Sequence, residues 1–410
     1  MERTILHIDM NSCYASIECL HHPELAGLPV AVGGEPRERH GIILAKNEPA
    51  KRAGVTTGET LWQAQAKCPG LVILPPRFRL YLRFSRMARE IYGEYTDRVE
   101  PFGLDEAWAD VTADGRDGRV LADEIRRRVK EELGVTVSVG VSYNKVLAKL
   151  GSDYKKPDAV TVFGRSDLRE KVWLLPARDL LYVGPATERK LAGYGIRTIG
   201  GIAQTDGRLL SAWLGKQGEL LGAWARGEDA SPVARAGDTE TVKSIGNSIT
   251  PPRDLLCEGD AGIIFGMLAE SVAERLRESG LLARTAAVSL RANDLSWCER
   301  QLRLDSPTCL AKELYAAAMA LLRRGCDFGT PLRSVGLRAA DLTAERDAAQ
   351  CSLFCDEAAR EREERLERAV DEVRRRFGHF AISRAAAVSD GTLANIDAGA
   401  EHFCLARGRL

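Results

Sequence analysis

No apolar run in this chain approaches the roughly 20 residues that a helix needs to cross a bilayer, so a membrane-spanning helix is excluded. Net charge is missing too. The 58 basic and 58 acidic residues cancel, and any surface for a polyanion must come from local clustering. The ten cysteines contain no Cys-x-x-Cys pair, no His spacing resembles a zinc site, and no signal peptide precedes the first apolar strand, which points to reduced thiols and a cytoplasmic protein. The signature of disorder is equally absent, since 45% of residues are apolar and 28% charged. At 410 residues the chain exceeds what one core usually organises, and three or four domains are expected.

What the chain does have is three acidic residues in apolar frames: Asp9 within ILHIDMNSCYASIE, and the adjacent pair Asp105 and Glu106 within VEPFGLDEAWADV. Unpaired charges in such surroundings are costly unless a metal or a partner compensates them. Three carboxylates suit a site that binds two hard divalent cations and transfers a phosphoryl group. A strand Ile5 to Ile8 ends at Asp9 and leads into a helix centred on Ala15 to Leu20. A small α/β insertion follows, with strands at Pro29 to Val32, Ile42 to Ala45 and Leu71 to Leu74 and a helix from Thr60 to Lys67. Next come a helix from Phe78 to Thr96, two strands flanking the acidic pair, a helix Arg119 to Leu133, a strand Val135 to Val141, a helix from Asn144 and a strand Ala159 to Phe163. That order predicts an α+β layer with an antiparallel or mixed sheet and helices on one face. Neighbours in a regular strand point to opposite faces, so Asp105 and Glu106 can share a site only at a turn. Pro101 and Gly103 supply the turn formers, which places the pair at a hairpin tip beside the end of the Asp9 strand.

HIDMNSCYASIE, AKNEPAKRAGVTTGE, VEPFGLDEAWADVT and SVGVSYNKVLAKLGSDYKKPDAVTV stand in the order and spacing of the Y-family DNA polymerases, the polymerase IV and UmuC-like translesion enzymes. The resemblance is strong over residues 4–165 and continues to about residue 380. It implies a right-hand polymerase with a palm (1–11 and 75–165), small fingers (12–74), a helical thumb with a helix-hairpin-helix (166–236), a linker (237–243), an α/β little finger (244–345) and a C-terminal tail (346–410). It implies that Asp9, Asp105, Glu106 and the Met10 carbonyl bind two Mg²⁺, that Tyr14 is a steric gate against ribonucleotides, and that Lys51, Arg52 and Lys156 bind the triphosphate. The activity implied is template-directed, low-fidelity addition of deoxynucleotides to a primer 3′-hydroxyl, by a monomer acting on primer-template DNA. The chain departs from the family pattern at Cys13, at Glu48, at Gly103-Leu104 before the acidic pair, and at Tyr182, which takes a hairpin glycine position. A carboxylate at 48 would repel a triphosphate unless Lys46, Lys51 or Arg52 pairs with it.

LLYVGPATERKLAGYGIRT resembles the family's helix-hairpin-helix, with Gly184 and Thr187 where a DNA phosphate is held, and Leu191 and Gly195 in matching positions. Two helices over a small sheet, residues 263–339, resemble the little finger, for which Arg291, Arg303 and Arg333 are expected DNA contacts alongside Ser, Thr and backbone N–H groups. QCSLF resembles a sliding-clamp-binding pentapeptide, with Gln350 setting register and Leu353 and Phe354 entering an apolar pocket. Glu357 to Phe377 reads as a charged helix whose stripe of Leu366, Val370, Val373 and Phe377 is a docking face, its alternating charges being the solvated side. Two other readings compete. A non-catalytic DNA- or clamp-binding accessory protein would have no use for all three carboxylates, and a two-metal nucleotide cyclase would need neither the hairpin motif nor QCSLF.

Overall fold

The computed structural model describes residues 2–34, 41–238, 242–345, 357–385, 390–394 and 396. Residues 2–34 and 42–238 form one compact unit, and the described residues from 242 onward form a second. The first unit begins with β1 (Ile5–Met10), α1 (Cys13–His21), β2 (Val30–Gly33), β3 (Ile43–Lys46), α2 (Glu48–Arg52), α3 (Leu61–Lys67), β4 (Val72–Leu74) and α4 (Phe78–Gly93). It continues through β5 (Val99–Pro101), β6 (Glu106–Asp110), α5 (Gly118–Leu133), β7 (Val137–Ser142), α6 (Lys145–Tyr154) and β8 (Val160–Phe163). It ends in helices α7 (Asp167–Glu170), α8 (Pro185–Gly193), α9 (Ile199–Gln204), α10 (Gly207–Leu214) and α11 (Lys216–Ala225).

β1 is the middle strand of a mixed five-stranded sheet in the order β5-β6-β1-β7-β8, antiparallel to both of its neighbours. A middle strand is covered on both faces, which is why ILHIDM is almost continuously apolar and entirely buried. Leu6, Ile8 and Met10 join Ala88 and Tyr92 of α4 and Leu121, Ile125 and Val129 of α5 in one core. Ile5 instead packs with Trp108 and with Ala148 of α6. Strand alternation puts His7 and Asp9 on this second face. Helices therefore cover both faces rather than the single face expected from the element order. Glycine makes the second layer possible: a Cβ on Gly140 would sit 1.9 Å from the Ala148 carbonyl oxygen, and one on Gly151 would sit 3.1 Å from the Gly140 Cα. α6 thus lies with its backbone against the sheet, a contact that no apolar pattern announces. Its first turn is held by Asn144, whose side chain accepts from the Leu147 N–H.

Strands β2, β3 and β4 form a separate three-stranded sheet in the order β3-β2-β4, with its own core of Ile43, Ala50, Val55, Leu61 and Leu71. The helices after β8 gather around Leu180, Leu191, Ile199, Leu210 and Leu221. Tyr182 adopts φ +66°, so the tight turn forms without its glycine, at a cost of about 1–2 kcal/mol.

The second unit is a four-stranded antiparallel sheet, β11-β10-β12-β9, built from β9 (Ser244–Ile249), β10 (Leu281–Ala292), β11 (Trp297–Thr308) and β12 (Leu332–Ala344). α12 (Glu258–Glu278) and α13 (Ala311–Gly325) cover one face through Phe265, Leu268, Val272, Leu314 and Leu322. β9, with the sequence SIGNSI, was not expected from its weak apolar alternation. α14 (Glu357–Phe377) has the expected bounds, but its docking face is turned by about a quarter of a helical turn from the expected stripe. Glu367 and Asp371 are buried against Arg277 of α12, which donates to Asp371 Oδ2 at 2.8 Å and to Glu367 Oε2, while Leu366 is 59% and Phe377 75% exposed. The buried guanidinium demands anionic partners more strongly than the apolar stripe demands cover.

Substituting Gly140→Ala drives a methyl group into the α6 backbone and is expected to destabilise the first unit by about 3 kcal/mol or more. Urea denaturation followed by circular dichroism measures this, and an unchanged midpoint would contradict the backbone-to-sheet contact.

Candidate active site

Asp9 stands one residue from the end of β1, directly opposite Glu106, the first residue of β6. The Met10 N–H donates to the Asp105 carbonyl at 2.9 Å, and the Phe102 N–H donates to the Glu106 carbonyl at 2.8 Å, which closes the hairpin. Asp105 is thus the last residue of the turn and Glu106 the first of the strand, so the two adjacent acids escape the alternation that would separate them. Gly103 takes φ +89°, a conformation that favours glycine. α4 holds the turn by its carbonyls: Arg89 donates to the Gly103 oxygen at 3.1 Å, and Ser85 Oγ to the Leu104 oxygen.

The three carboxylates are largely buried, Asp9 being 4% exposed. Burial raises the Asp9 pKa, with Lys156 partly offsetting it. Burial, then the charges of Glu106 and Asp9, push Asp105 up to about 6. Two lysines enter among these acids. Lys149 Nζ lies 2.9 Å from Glu106 Oε2, 3.3 Å from Asp9 Oδ2 and 3.0 Å from Asp153 Oδ2. Lys156 Nζ lies 2.6 Å from both Asp9 Oδ2 and Asp153 Oδ1. Burial works against the charged forms of Lys149 and Lys156, yet the surrounding carboxylates hold both above the ordinary lysine range. His7, on the same face, meets Ser152 Oγ through Nδ1 at 2.8 Å and lies 3.2 Å from Glu106 Oε2 through Nε2. Burial pushes it well below the ordinary histidine range, so it is neutral at pH 7.

Among the described residues, no group of three His, Cys, Asp or Glu side chains is arranged to hold a metal ion; Asp9 and Glu106 are turned toward lysine ammonium groups. The donor chemistry nevertheless suits a divalent cation. The oxygens are hard and desolvated, Asp105 is raised by burial and then by like charge, and Glu106 Oε2 is buried without an aligned hydrogen-bond donor despite its ion-pair contacts.

Tyr14 lies in the first turn of α1, half-buried, its ring stacked on Tyr81 at 4.3 Å and edge-on to Phe78 at 6.0 Å. Burial, with the nearby charge of Asp105, pushes its hydroxyl up to about 12. Tyr81 in turn donates to Glu18, which also takes Arg77. Lys51 and Arg52 are exposed on α2, away from the Asp9 ion pairs, and Glu48 is offset by Lys51 at 3.5 Å. Cys13 is buried with its Sγ 3.8 Å from Met10 Sδ.

Gly184 is the exposed N-cap of α8, with Pro185 and Thr187 in the first turn, while the helix expected before the hairpin is only the 3-10 turn Ala177–Asp179. In the second unit, Arg291 and Arg303 are exposed on the sheet face opposite α12 and α13, whereas Arg333 is the extra residue of a β-bulge in β12. Arg338, paired with Glu299, occupies the middle of that open face beside Ser248 and Ser289 and was not anticipated. Gln350, Leu353 and Phe354 lie outside the described residues. Sequence reasoning also missed His7, Lys149 and Asp153. The only signal for the last two was the spacing Lys149, Asp153, Lys156, which places alternating charges along one side of α6 and its end.

Comparison with known proteins adds five findings. The impB/mucB/samB family model matches residues 8–153, and the model for that family's C-terminal domain matches residues 242–353. The chain is 48% identical over 399 residues to DNA polymerase IV of Acetivibrio thermocellus, covering 97% of this chain and 100% of that protein. It is 40% identical over 391 residues to DNA polymerase IV of Moorella thermoacetica, covering 94% and 96%. A solved Y-family DNA polymerase chimera shares the fold at a TM-score of 0.74 and 22% identity, over 83% of this chain and 99% of that one.

Asp105 gives a pH test. Its folded-state pKa of about 6 exceeds the ordinary 3.8, so between those values the folded state binds more protons than the unfolded one and stability falls as pH rises. Above pH 6 the penalty is complete, at about 2–3 kcal/mol. In EDTA, Asp105→Asn is expected to be the more stable protein at pH 7.5, with the gain vanishing toward pH 4; urea titrations at both pH values measure it.

Proposed function

The chain belongs to the Y family of DNA polymerases, within the impB/mucB/samB group, and from that membership we propose which of its own residues carry the reaction. It is a DNA-directed DNA polymerase of the translesion type, its substrates are DNA and deoxynucleoside triphosphates, and Y-family polymerases depend on divalent metal ions. Asp9, Asp105 and Glu106, with the Met10 carbonyl, are the residues proposed to hold two Mg²⁺. The observation that carries this is the pairing that sets Asp9 opposite Glu106 while the Met10 N–H takes the Asp105 carbonyl. Bound divalent ions supply Lewis acidity toward the primer 3′-hydroxyl and neutralise charge on the triphosphate and its leaving oxygen.

The remaining roles belong to side chains. Lys156, already beside Asp9, donates to the triphosphate, and Lys51 and Arg52 approach it from α2. The Tyr14 ring, backed by Tyr81 and Phe78, stands where a ribose 2′-hydroxyl would go and rejects it sterically. Residues 1–11 and 75–165 act as palm, 12–74 as fingers, 166–236 as thumb, 237–243 as linker and 244–345 as little finger. Gly184 and Thr187, at the start of α8, hold a backbone phosphate through N–H groups. Arg291 and Arg303, on an open face with serines, contact further phosphates, and Arg333 adds one at its bulge. Gln350, Leu353 and Phe354 engage a sliding clamp, and the protein works as a monomer in the cytoplasm.

Primer extension with Mg²⁺ on undamaged and abasic-site templates tests this reading. The parent protein is expected to extend both, while Asp105→Ala and Glu106→Ala lower incorporation by at least about 10³-fold without unfolding. Full activity in either variant would sink the carboxylate assignment.

Tyr14→Ala is expected to raise ribonucleotide use relative to deoxynucleotides by about tenfold or more. Competition kinetics with paired triphosphates measures the ratio, and an unchanged ratio removes Tyr14 from the role of gate.

A further inference from the structure

Among the described residues, Lys149 is the one cation that touches two of the three proposed metal-binding acids at once, and nothing above gives it a task. Its side chain is only 13% exposed. Its place is not adjustable by sliding the helix, because Ala148, the residue before it, rests its carbonyl against Gly140 of the sheet. The ammonium is thereby delivered between Glu106 Oε2 at 2.9 Å and Asp9 Oδ2 at 3.3 Å. One turn further along α6, Asp153 waits for the same group with Oδ2 at 3.0 Å, while its Oδ1 takes Lys156. Asp153 is 47% exposed, more open to water than the buried acids on the other side of the lysine.

Carboxylates crowded in a medium of reduced dielectric repel each other strongly, and an isolated buried anion is worse. A protein that binds its divalent ion only while working must tolerate the empty state. We propose that Lys149 is a built-in counter-cation, which balances Asp9 and Glu106 when no divalent ion is bound, competes with that ion for the same oxygens, and withdraws to Asp153 when the ion enters. The proposal rests on the reading of Asp9, Asp105 and Glu106 as metal ligands. It assigns Lys149 a positioning and charge-balancing role, with no contact to substrate required. Its consequence is opposite in sign to that of an ordinary structural lysine: removing the charge should weaken the metal-free fold and strengthen metal binding.

The test uses the full chain without DNA or nucleotide. Mn²⁺ binding is titrated by electron paramagnetic resonance, and melting is followed in EDTA and in excess Mn²⁺, for the parent, Lys149→Met, Lys149→Arg and Asp105→Asn. Lys149→Met is expected to bind Mn²⁺ about tenfold more tightly, which corresponds to about 1.4 kcal/mol. It should melt at least about 4 °C lower than the parent in EDTA, with the gap closing in excess Mn²⁺. Lys149→Arg, which keeps the charge, should restore the parent's melting temperature and affinity. If Lys149→Met folds only when Mn²⁺ is present, the proposal is supported in its strongest form. Failure to fold even in Mn²⁺ overturns it, since the ion should supply the missing charge. Unchanged or weaker Mn²⁺ binding in Lys149→Met, with binding lost in Asp105→Asn, overturns the counter-cation alone. Mn²⁺ binding that survives Asp105→Asn overturns the metal-ligand reading beneath it.

Discussion

Like-charge repulsion among three carboxylates at one end of a buried strand is the constraint around which the first unit is arranged. β1 cannot leave the centre of the sheet, because its other residues supply cores on both faces, so Asp9 is carried into a desolvated place by the packing of Leu6, Ile8 and Met10. The hairpin then brings two more acids to the same end, and α4 grips that hairpin by its carbonyl oxygens. Every element that fixes the geometry also raises its electrostatic cost. α6 and the residues just past its end answer with two lysines, Lys149 at a position set by a glycine contact and Lys156 beyond the helix. Stability is given up for a ready-made concentration of negative charge, a trade expected where a polyanionic substrate and its cations must meet.

Much of this was legible in the sequence, because the relevant signals are local. The apolar run into Asp9, the turn formers Pro101 and Gly103, and the N-caps Asn144 and Thr60 all report on their own neighbourhood, and each marks an element within a few residues of where it lies. Asp105 and Glu106 sit at the turn where strand alternation required them to be. Lys149 and Asp153 were invisible for a different reason. Charged residues at helical spacing normally face solvent, and only the close approach of Gly140 to the α6 backbone turns them inward. That same contact defeated the expectation of helices on one face.

The second unit shows how a correct boundary can come with a rotated face. The helical reading of residues 357–377 was sound, since its composition and period are those of a helix. Which stripe docks depends on what the receiving surface offers, and α12 offers the buried guanidinium of Arg277. Burying a charge without partners costs more than leaving a leucine and a phenylalanine wet, so Glu367 and Asp371 go inward. β9 was missed because SIGNSI places serine and glycine on the open face, where a strand is usually marked by contrast with charged residues.

The docking of α14 by charge rather than by oil also fixes its register against α12. Hydrophobic surfaces slide past one another at small cost, whereas a guanidinium held by two carboxylates and the Cys309 carbonyl accepts one register. The start of α14 is therefore pinned, just as the end of β12 is pinned by its ladder to β10.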